Sequence, residues 1–552
     1  MRLPPPRSGG RSGPLQTPPA LAIAGAAGLV LGSVSPWATF AGFPGKMSLG
    51  GFPGGARLFC LLLAAGALLF AVDVAGRQRA ALFAAAGAGA IVVVNIVAIA
   101  DQGGGLGSVA WGAWLSLAGA GALGAAAWQL PAGEPAPQEW RPRPPALEVA
   151  AIAVALLAVL GAVVWGLEIE ESSRFISFLV FLIGLSVAIH HLGVFSALGV
   201  LFARHHRMAM LLGAAAAVAF PFTQQGNAYW IRVFASIGVF AVAAIGLNVV
   251  VGLAGLLDLG YVAFFGVGAY VGALFSNATL TTTNIHLPFF VVVILGGCIA
   301  AVFGLVIGTP TLRLRGDYLA IVTLGFGEIF RITANNWDGL TRGPNGISGI
   351  PDLAVAGFDF GESHELFGIN LPGFANYYFV ELLLIAAAIL VFTRLNDSRI
   401  GRAWVAIRED ELAAAASGID TIRLKLLAFA IGAFLAGCAG TVNAHVTTQV
   451  SPDSYTFLES ILLVAAVVLG GMGTVPGALL GSTALFVIPE KLRSFQDKRL
   501  LLFGAALILV MRFRPEGLVP SRRRRRELHE EAAEGVPGLA GATGAPPGGP
   551  LS

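Results

Sequence analysis

Uninterrupted apolar segments of about twenty residues recur along nearly the whole chain, and they limit the possible folds more than any other feature. Residues 147–167, 229–252 and 288–311 are examples. An α-helix rises about 1.5 Å per residue, so such a segment crosses the ~30 Å hydrocarbon core of a bilayer. The segments are too long and continuous for barrel strands. The sequence therefore predicts an all-α, polytopic integral membrane protein built as a helical bundle.

The composition supports a lipid environment and excludes several other classes. Only 12% of the 552 residues are charged, against about a quarter in soluble domains. The 73 glycines lie inside apolar segments without a collagen period, which indicates close helix packing or broken helices. Cys60, Cys298 and Cys438 stand singly, so the sequence predicts neither a disulfide framework nor a metal site.

The apolar segments predict sixteen spans. They lie near 20–42, 57–75, 79–100, 106–130, 147–167, 174–203, 208–222, 229–252, 257–275, 288–311, 317–335, 376–393, 424–445, 458–472, 477–490 and 499–511. Five arginines, Arg522 to Arg526, follow the last span, and three more precede the first, which places both termini in the cytoplasm of a bacterial inner membrane protein. Basic residues between 491 and 499 fall outside in this scheme, so either a late span is re-entrant or these residues snorkel at the outer surface.

Changes in composition predict the domain boundaries. A Pro-rich linker at 131–146 closes a four-span N-terminal region, 20–146, that follows a cytoplasmic tail at 1–19. Connecting spans occupy 147–207, and the core follows at 208–520. Residues 521–552 form a basic and then Pro/Gly/Glu-rich cytoplasmic tail, which has no aromatic interleaving and predicts no nucleic-acid binding.

The segment 246–270 is apolar but interrupted by five glycines, and it contains Asn248 and Asp258. A lipid-facing helix has little reason to carry an ionisable residue, which costs about 2.5–3.5 kcal/mol on insertion scales. We therefore predict a broken helix lining a cavity. The alternative makes the glycines packing contacts and places Asp258 at the water interface.

A second charged pair lies inside a span. Glu328 and Arg331 are three residues apart, hence on one helical face and able to pair. Intramembrane charges usually face a bundle interior or a water-filled cavity. The pair is therefore a candidate for a solute pathway or a subunit contact, with a structural ion pair as the alternative.

The cytoplasmic loop at 398–425 differs from its surroundings. It is charged at first, then Ala-rich with high helix propensity, and Gly418 stops it. A short polar helix between two spans is suited to contact a partner, and an inert connector is the alternative. The chain contains no P-loop, GxSxG or HExxH motif, so we predict no enzyme activity, and any ATP-driven step belongs to another subunit.

Six blocks together resemble the LivM-type permease subunit of branched-chain amino acid ABC importers. They are GLNVVVGLAGLLDLGYVAFFGVGAY, TLRLRGDYLAIVTLGFGEIFR, LTRGPNGISGIP, GRAWVAIREDELAAAASGIDTIRLKLLAFAIGAFLAGCAG, VLGGMGTVPGALLG and RFRPEGLVP. They follow the family's order over about 208–520. The resemblance implies an ABC importer permease core, with residues 1–146 as additional N-terminal transmembrane helices.

The resemblance also implies the partners. These are a LivH-like second permease, two cytoplasmic ABC ATPases that hydrolyse ATP, an extracytoplasmic solute-binding protein and a small amino-acid or amide solute. The chain itself would need no cofactor.

The resemblance maps onto individual residues. Segment 401–420 corresponds to the EAA-type loop that docks into the ATPase. The contact residues would be Arg408, Glu409, Asp410, Glu411 and Gly418. The general pattern places glycine six residues after glutamate, whereas Glu411 and Gly418 are seven apart.

The same resemblance implies roles for two other groups of residues. The translocation path would be lined by Asn248, Asp258, Tyr261, Phe264, Phe265, Tyr270, Glu328 and Arg331. The loop 341–351, with Arg342 and Asn345, would face the binding protein. The family has different residues before the AFFG element, at the positions where this chain has Asp258 and Tyr261.

Three alternatives to branched-chain amino acid import stay open. Urea and short-chain amide importers use similar permeases. A self-sufficient secondary transporter or channel could use Asp258, Glu328 and Arg331 as ion or proton sites. An intramembrane enzyme lacks any recognisable catalytic constellation.

Overall fold

The computed structural model describes most of the chain. The described residues are 20–39, 55–72, 78–128, 144–169, 172–191, 193–224, 228–276, 287–311, 317–355, 358–366, 368–491, 504, 508, 512 and 517–519. They divide into two compact units, Met1–Phe220 and Pro221–Ser552. The division falls inside a helix, and the second unit begins thirteen residues after the predicted start of the core at 208.

The first unit is helical in its described parts. Its helices are α1 (Ala20–Val34), α2 (Ala56–Val72), α3 (Gln78–Gly103), α4 (Trp111–Trp128), α5 (Pro145–Glu168), α6 (Ser172–His191) and α7 (Val194–Arg204), and α8 (His206–Thr223) crosses the division. Helix α1 packs against α4, and α3 packs against α2, α4 and α6. Helix α6, which we grouped with the connecting spans, thus shares a core with the N-terminal spans. The predicted linker at 131–146 lies mostly outside the described residues.

Small residues and aromatic rings form the core of this unit. A side chain at Gly119 would overlap the backbone of Leu29, so α1 and α4 approach closely. The Phe59 ring lies 5.3 Å from that of Trp165 and 4.7 Å from that of Phe181. These contacts join α2, α5 and α6.

The second unit contains the longest described helix and most of the buried apolar residues. Its helices are α9 (Ala228–Leu247), α10 (Val262–Phe275), α11 (Phe289–Thr311), α12 (Asp317–Asn336), α13 (Asp338–Thr341), α14 (Gly373–Asn396), α15 (Arg399–Glu409), α16 (Glu411–Ala416), α17 (Thr421–Thr447), α18 (Phe457–Gly470) and α19 (Val475–Lys491). Helix α17 is central and packs against α9, α10 and α11. A side chain at Gly268 of α10 would overlap the carbonyl of Gly437 in α17, so glycine sets this spacing.

Short strands occur within the region 347–371 and after α17. Three antiparallel pairs are described: β1 (Ile347–Ser348) with β6 (Gln449–Val450), β2 (Ala354–Val355) with β3 (Phe358–Asp359), and β4 (His364–Leu366) with β5 (Ile369–Leu371). Ile347 pairs with Val450, which ties the long loop to the end of α17. The structure is otherwise helical where described, and the predicted all-α membrane bundle is confirmed.

Nine described helices are long and apolar enough to cross a membrane. They cover Ala80–Asp101, Pro145–Glu168, Arg174–His191, His206–Thr223, Ala228–Leu253, Phe289–Thr309, Gly373–Asn396, Thr421–Thr447 and Pro452–Gly470, and four shorter apolar helices accompany them. Two predicted boundaries were wrong. The span at 174–203 is two helices, α6 and α7, separated next to Gly193 with φ 76°. The span at 257–275 begins only at Val262, because the preceding residues are not helical. The span at 499–511 lies almost wholly outside the described residues.

Helix α19 runs antiparallel beside α9 over its full length. Thr474, next to the start of α19, contacts Asn248 at the end of α9, while Glu490 near its end hydrogen-bonds Tyr229 at the start of α9. The Lys491 ammonium lies 4.5 Å from the centroid of the Trp230 ring. Helix α19 therefore lies alongside α9 from end to end, and its last residue, Lys491, is buried against Trp230. The other basic residues of the predicted outer stretch lie outside the described residues, so its two interpretations stay open.

Candidate functional site

The predicted break in the 246–270 segment is present. Helix α9 ends at Leu247, a π-helical segment follows at Asn248–Leu253, and α10 begins at Val262. The Ala254 amide donates to the Val249 carbonyl at 3.2 Å, five residues back as in a π-helix, and the Leu256 amide then donates to the Val250 carbonyl at 3.0 Å. Gly255 has φ 72°, a conformation that glycine adopts without strain. We call residues 248–261 the break; π-helical turns often mark functional sites.

Asn248 connects the break to the turn between α18 and α19. Its side-chain oxygen accepts a hydrogen bond from the Gly473 amide at 2.7 Å, and its nitrogen donates to the Thr474 carbonyl at 2.9 Å. The residue is completely buried. A side chain at Gly252 would overlap the Asn248 amide, so this glycine is required for the connection. Asn248 therefore holds two backbone segments together, and a role in lining a path stays a prediction.

Asp258 lies in the second half of the break and is 1% exposed. One carboxylate oxygen accepts from the Gly260 amide at 2.9 Å. The next residue, Leu259, donates its amide to the Thr323 hydroxyl of α12 at 3.1 Å. A side chain at Gly260 would overlap the Thr323 carbonyl, so the break and α12 touch backbone to backbone. The alternative that placed Asp258 at a water interface was wrong.

The four aromatic candidates at the break and in α10 are buried packing residues in this chain. The Tyr261 hydroxyl donates to the Gly432 carbonyl of α17 at 2.7 Å. Phe264 packs against Phe326, with centroids 5.5 Å apart, and Phe265 packs against Phe240 at 5.4 Å. Tyr270 forms a triangle with Phe330 and Tyr455, with all three centroid distances 6.2 Å.

Helix α12 carries the predicted ion pair. The Arg331 Nε donates to both Glu328 carboxylate oxygens at 3.1 Å, and its Nη1 lies 3.7 Å from the Asp453 carboxylate. The side chains of Glu328 and Arg331 remain 43% and 30% exposed. The pairing is confirmed, and its position on an open helix face distinguishes it from the buried candidates.

The same face of α12 is open along most of the helix. The exposed apolar side chains on α12 are Tyr318, Ile321, Val322, Ile329 and Ile332. A side chain at Gly325 would meet nothing within 4 Å in this chain. We call this set, together with Glu328 and Arg331, the α12 face.

The segment at 398–425, which the sequence predicts to be cytoplasmic, forms two short helices where we predicted one. Helix α15 ends at Glu409, and Asp410 has an extended backbone with φ −151°. The Asp410 carboxylate accepts from the amides of Leu412 and Ala413 at 2.8 and 3.0 Å, which caps the start of α16. Helix α16 ends at Ala416, and Gly418 then adopts φ 84°, which confirms the predicted stop.

Charged residues of this segment face in different directions. The Glu411 carboxylate pairs with the ammonium of Lys425 at 2.5 Å, and the Lys425 side chain is 5% exposed. The Arg408 guanidinium donates to the carbonyl of Gly252 in the break at 2.7 Å. Glu409, Asp410 and Gly418 are exposed. Leu412, which we had not selected, is 64% exposed.

The outer-loop candidates lie on the surface. Arg342 has φ 64° and ends α13, and Asn345 follows in a 3-10 turn, both exposed. The Thr341 hydroxyl donates to the Ala334 carbonyl, which anchors this turn to the end of α12. The loop is further held by the hydrogen bond from the Tyr377 hydroxyl to Asp352 at 2.9 Å.

Among the buried polar residues that sequence reasoning missed are Glu381 and His445. Glu381 in α14 is 1% exposed, packs on Gly238, and makes no hydrogen bond to any described residue. His445 in α17 is 5% exposed; its Nδ1 lies 3.2 Å from the Pro351 carbonyl. A single glutamate inside the apolar run FVELLLIAAAILVF was the available signal for the first. The contact of His445 links residues 94 apart, so no local pattern indicates it.

Comparisons with known proteins identify the family of this chain. A family model described as "Branched-chain amino acid transport system / permease component" matches residues 229–511, just over half of the chain. The LivM proteins of Salmonella typhimurium and Escherichia coli, high-affinity branched-chain amino acid permeases, are each 41% identical over 333 residues, covering 58% of this chain and 76% of the relative. The permease LivH of Salmonella typhimurium is 28% identical over 286 residues, covering 51% of this chain and 91% of that protein. No solved structure matches. The chain is a multi-pass membrane protein, and it belongs to the family of permease components of branched-chain amino acid transport systems.

Proposed function

We propose that this chain is the permease subunit of an ATP-driven importer of branched-chain amino acids, coupled through α15 and α16 to separate ATPase subunits. The observation that carries the proposal is the structure of the cytoplasmic segment in a chain of this family. Its base is fixed by the Glu411–Lys425 pair, while Leu412 and the exposed alanines of α16 face outward. An exposed apolar side chain on a capped helix, here Leu412, is suited to enter a cleft on a partner subunit.

The ATPase contact is proposed to be formed by the outward residues of the segment. Glu409, Asp410 and Gly418 are exposed around Leu412. Arg408 and Glu411 would support this surface rather than contact the ATPase, since both bind other residues of this chain. The chain would bind no cofactor itself, and the partner subunits would hydrolyse the ATP.

A second permease is proposed to cover the α12 face. Charges directed at lipid are costly, so the Glu328–Arg331 pair is better placed against protein or a water-filled path. The family contains both LivM and LivH proteins, which supports pairing of two related permeases. The solute path would then run between the α12 face and the partner. Arg342 and Asn345, beyond the outer end of α12, would meet the solute-binding protein.

Both termini are proposed to lie in the cytoplasm. The amide of Val519 donates to the Gly470 carbonyl at 2.8 Å, so residues 517–519 lie beside the turn between α18 and α19. That turn holds Asn248 at the end of the break that Arg408 contacts. Residue 519 and the coupling segment therefore lie at the same end of the second unit.

Reconstitution of this chain with a second permease, two ATPases and a binding protein tests the proposal. Proteoliposomes are supplied with leucine, urea or a short amide, with and without ATP. We expect ATP-dependent leucine uptake that requires the binding protein. Uptake of urea or the amide in place of leucine would change the solute class. Equal leucine uptake by this chain alone without ATP would instead support a secondary transporter.

A further inference from the structure

The side chain of Arg408 extends from α15 to the break. Its Nη1 donates to the Gly252 carbonyl at 2.7 Å, although the two residues are 156 positions apart. Carbonyls at the end of a helix lack partners within the helix, and a cation is favourable there. The guanidinium therefore stabilises the end of the π-helical segment where the chain leaves the helix.

Gly255 holds the aliphatic part of the same side chain. It lies three residues after Gly252 with φ 72°. A side chain here would lie 2.5 Å from Cγ and 3.0 Å from Cβ of Arg408, so only glycine leaves the necessary space. The break therefore contacts Arg408 at two points. The Gly252 carbonyl binds the guanidinium, and the Gly255 backbone packs against the aliphatic part of the side chain.

The opposite side of the π-helical segment is anchored to a different part of the unit. Asn248 binds the backbone of Gly473 and Thr474. The Thr474 hydroxyl donates to the Val519 carbonyl at 3.1 Å, and Leu518 donates its amide to Leu469 at 2.8 Å. Residues 248 to 252, about one helical turn, thus lie between the fixed connection from α18 to α19 and the cytoplasmic helices.

The cytoplasmic helices, with Arg408, are connected to each other and to the start of α17. Asp410 caps α16 directly after α15 ends, with no intervening loop. The buried Trp404 of α15 donates its Nε1 to the Leu424 carbonyl at 2.7 Å, near the start of α17. A displacement applied at α16 would reach Arg408 through less than two turns of helix.

We propose that Arg408 is a positioning residue that transmits movement of α15 and α16 to the break between α9 and α10. The inference rests on the proposed function and adds the route by which the ATPases act on the membrane part. Because Asn248 is anchored and Gly252 follows Arg408, movement of the cytoplasmic helices changes the geometry of the turn between them. The break then alternates between two arrangements that open the path to opposite sides.

The test uses the full complex in proteoliposomes with leucine. We expect R408Q to reduce leucine transported per ATP hydrolysed by about tenfold or more, the order of effect expected when a charge-assisted hydrogen bond is lost. R408K keeps the cation and a donor and should recover part of the coupling. Hydrogen exchange of amides 248–256 should change on ATP binding in the wild type and not in R408Q, a difference that a purely structural role would not produce.

Arg402 supplies the matched control on the same helix. It is exposed and, within the described part of the chain, donates only to the Asp397 carbonyl at 3.3 Å, so R402Q should couple normally. A second variant, G255A, displaces Arg408 without altering its chemistry and should also uncouple. Wild-type stoichiometry and exchange in R408Q would overturn the inference. If R408Q failed to assemble, normal coupling in G255A would overturn the inference. Loss of leucine uptake in the wild-type complex would instead count against the proposed function.

Discussion

The Asn248 amide oxygen lies 2.7 Å from the Gly473 amide nitrogen, although 225 positions separate the two residues. The hydrogen bond joins the break to the turn between α18 and α19. The break stood out in the sequence for its glycines, and this contact shows that it forms one structural element with the turn at Gly473.

Replacing Asn248 should destabilise the second unit. N248A leaves the Gly473 amide and the Thr474 carbonyl buried without their partner, at a cost of about 1–3 kcal/mol per group. We expect a lower thermal unfolding temperature of the detergent-solubilised chain. N396A is the control, because Asn396 is exposed and its side chain, among the described residues, bonds only to neighbouring Asp397. Equal unfolding temperatures for the two variants would contradict the role assigned to Asn248.

Replacing Leu412 should weaken the ATPase contact. L412S removes the most exposed large apolar side chain of α16 without touching the cap at Asp410. We expect less ATPase to copurify with the chain and a lower leucine-stimulated ATP hydrolysis. L390S makes the same change on the exposed side of α14 and should leave copurification intact. If L412S retains the wild-type amount of ATPase, the proposed surface is misplaced.

The Glu411–Lys425 pair should be required to orient α16. E411Q leaves the nearly buried Lys425 ammonium without its carboxylate, which is costly for a buried charge. We expect uncoupling of ATP hydrolysis from uptake, and a stronger effect when G418A adds left-handed strain of about 1–2 kcal/mol. Membrane insertion should be normal. The charge-reversed double variant E411K/K425E is the informative comparison: a phenotype no better than that of E411K alone would argue against the pair.

Glycines of the break should tolerate no side chain. In G260A the new methyl group would overlap the Thr323 carbonyl, so α12 and the break must separate. We expect loss of uptake together with a lower unfolding temperature. G325A is the matched control, since the space around Gly325 is open within this chain, and the stability of the isolated chain should not change. A stable, active G260A protein would contradict the packing described.

The role of the Glu328–Arg331 pair can be separated from simple ion-pair stability. E328Q and R331Q each leave one charge on the α12 face, and both should reduce uptake. The reversed variant E328R/R331E restores a pair of the same spacing and should restore insertion and stability. Restored stability with continuing loss of uptake would indicate that the pair faces the solute or the second permease. Full recovery of uptake by the reversed pair would make it structural.

Features encoded locally were predictable from the sequence. Apolar length predicted the membrane helices, glycines with Asn248 and Asp258 predicted the break, and a spacing of three predicted the Glu328–Arg331 pair. Each depends on residues within one or a few helical turns, where periodicity and hydrophobicity act directly. The boundaries at Gly193 and Val262 were misjudged because an apolar run does not reveal where its backbone leaves the helix.

The sequence by itself determined that the chain is a multi-pass helical membrane protein with one interrupted apolar segment and one charged segment between two membrane helices. The folded chain decided which of these features touch. Arg408 meets Gly252 across 156 positions, and Asn248 meets Thr474 across 226. Such contacts depend on how α9, α15, α18 and α19 pack, and packing arises from shape complementarity over many residues rather than from any local pattern.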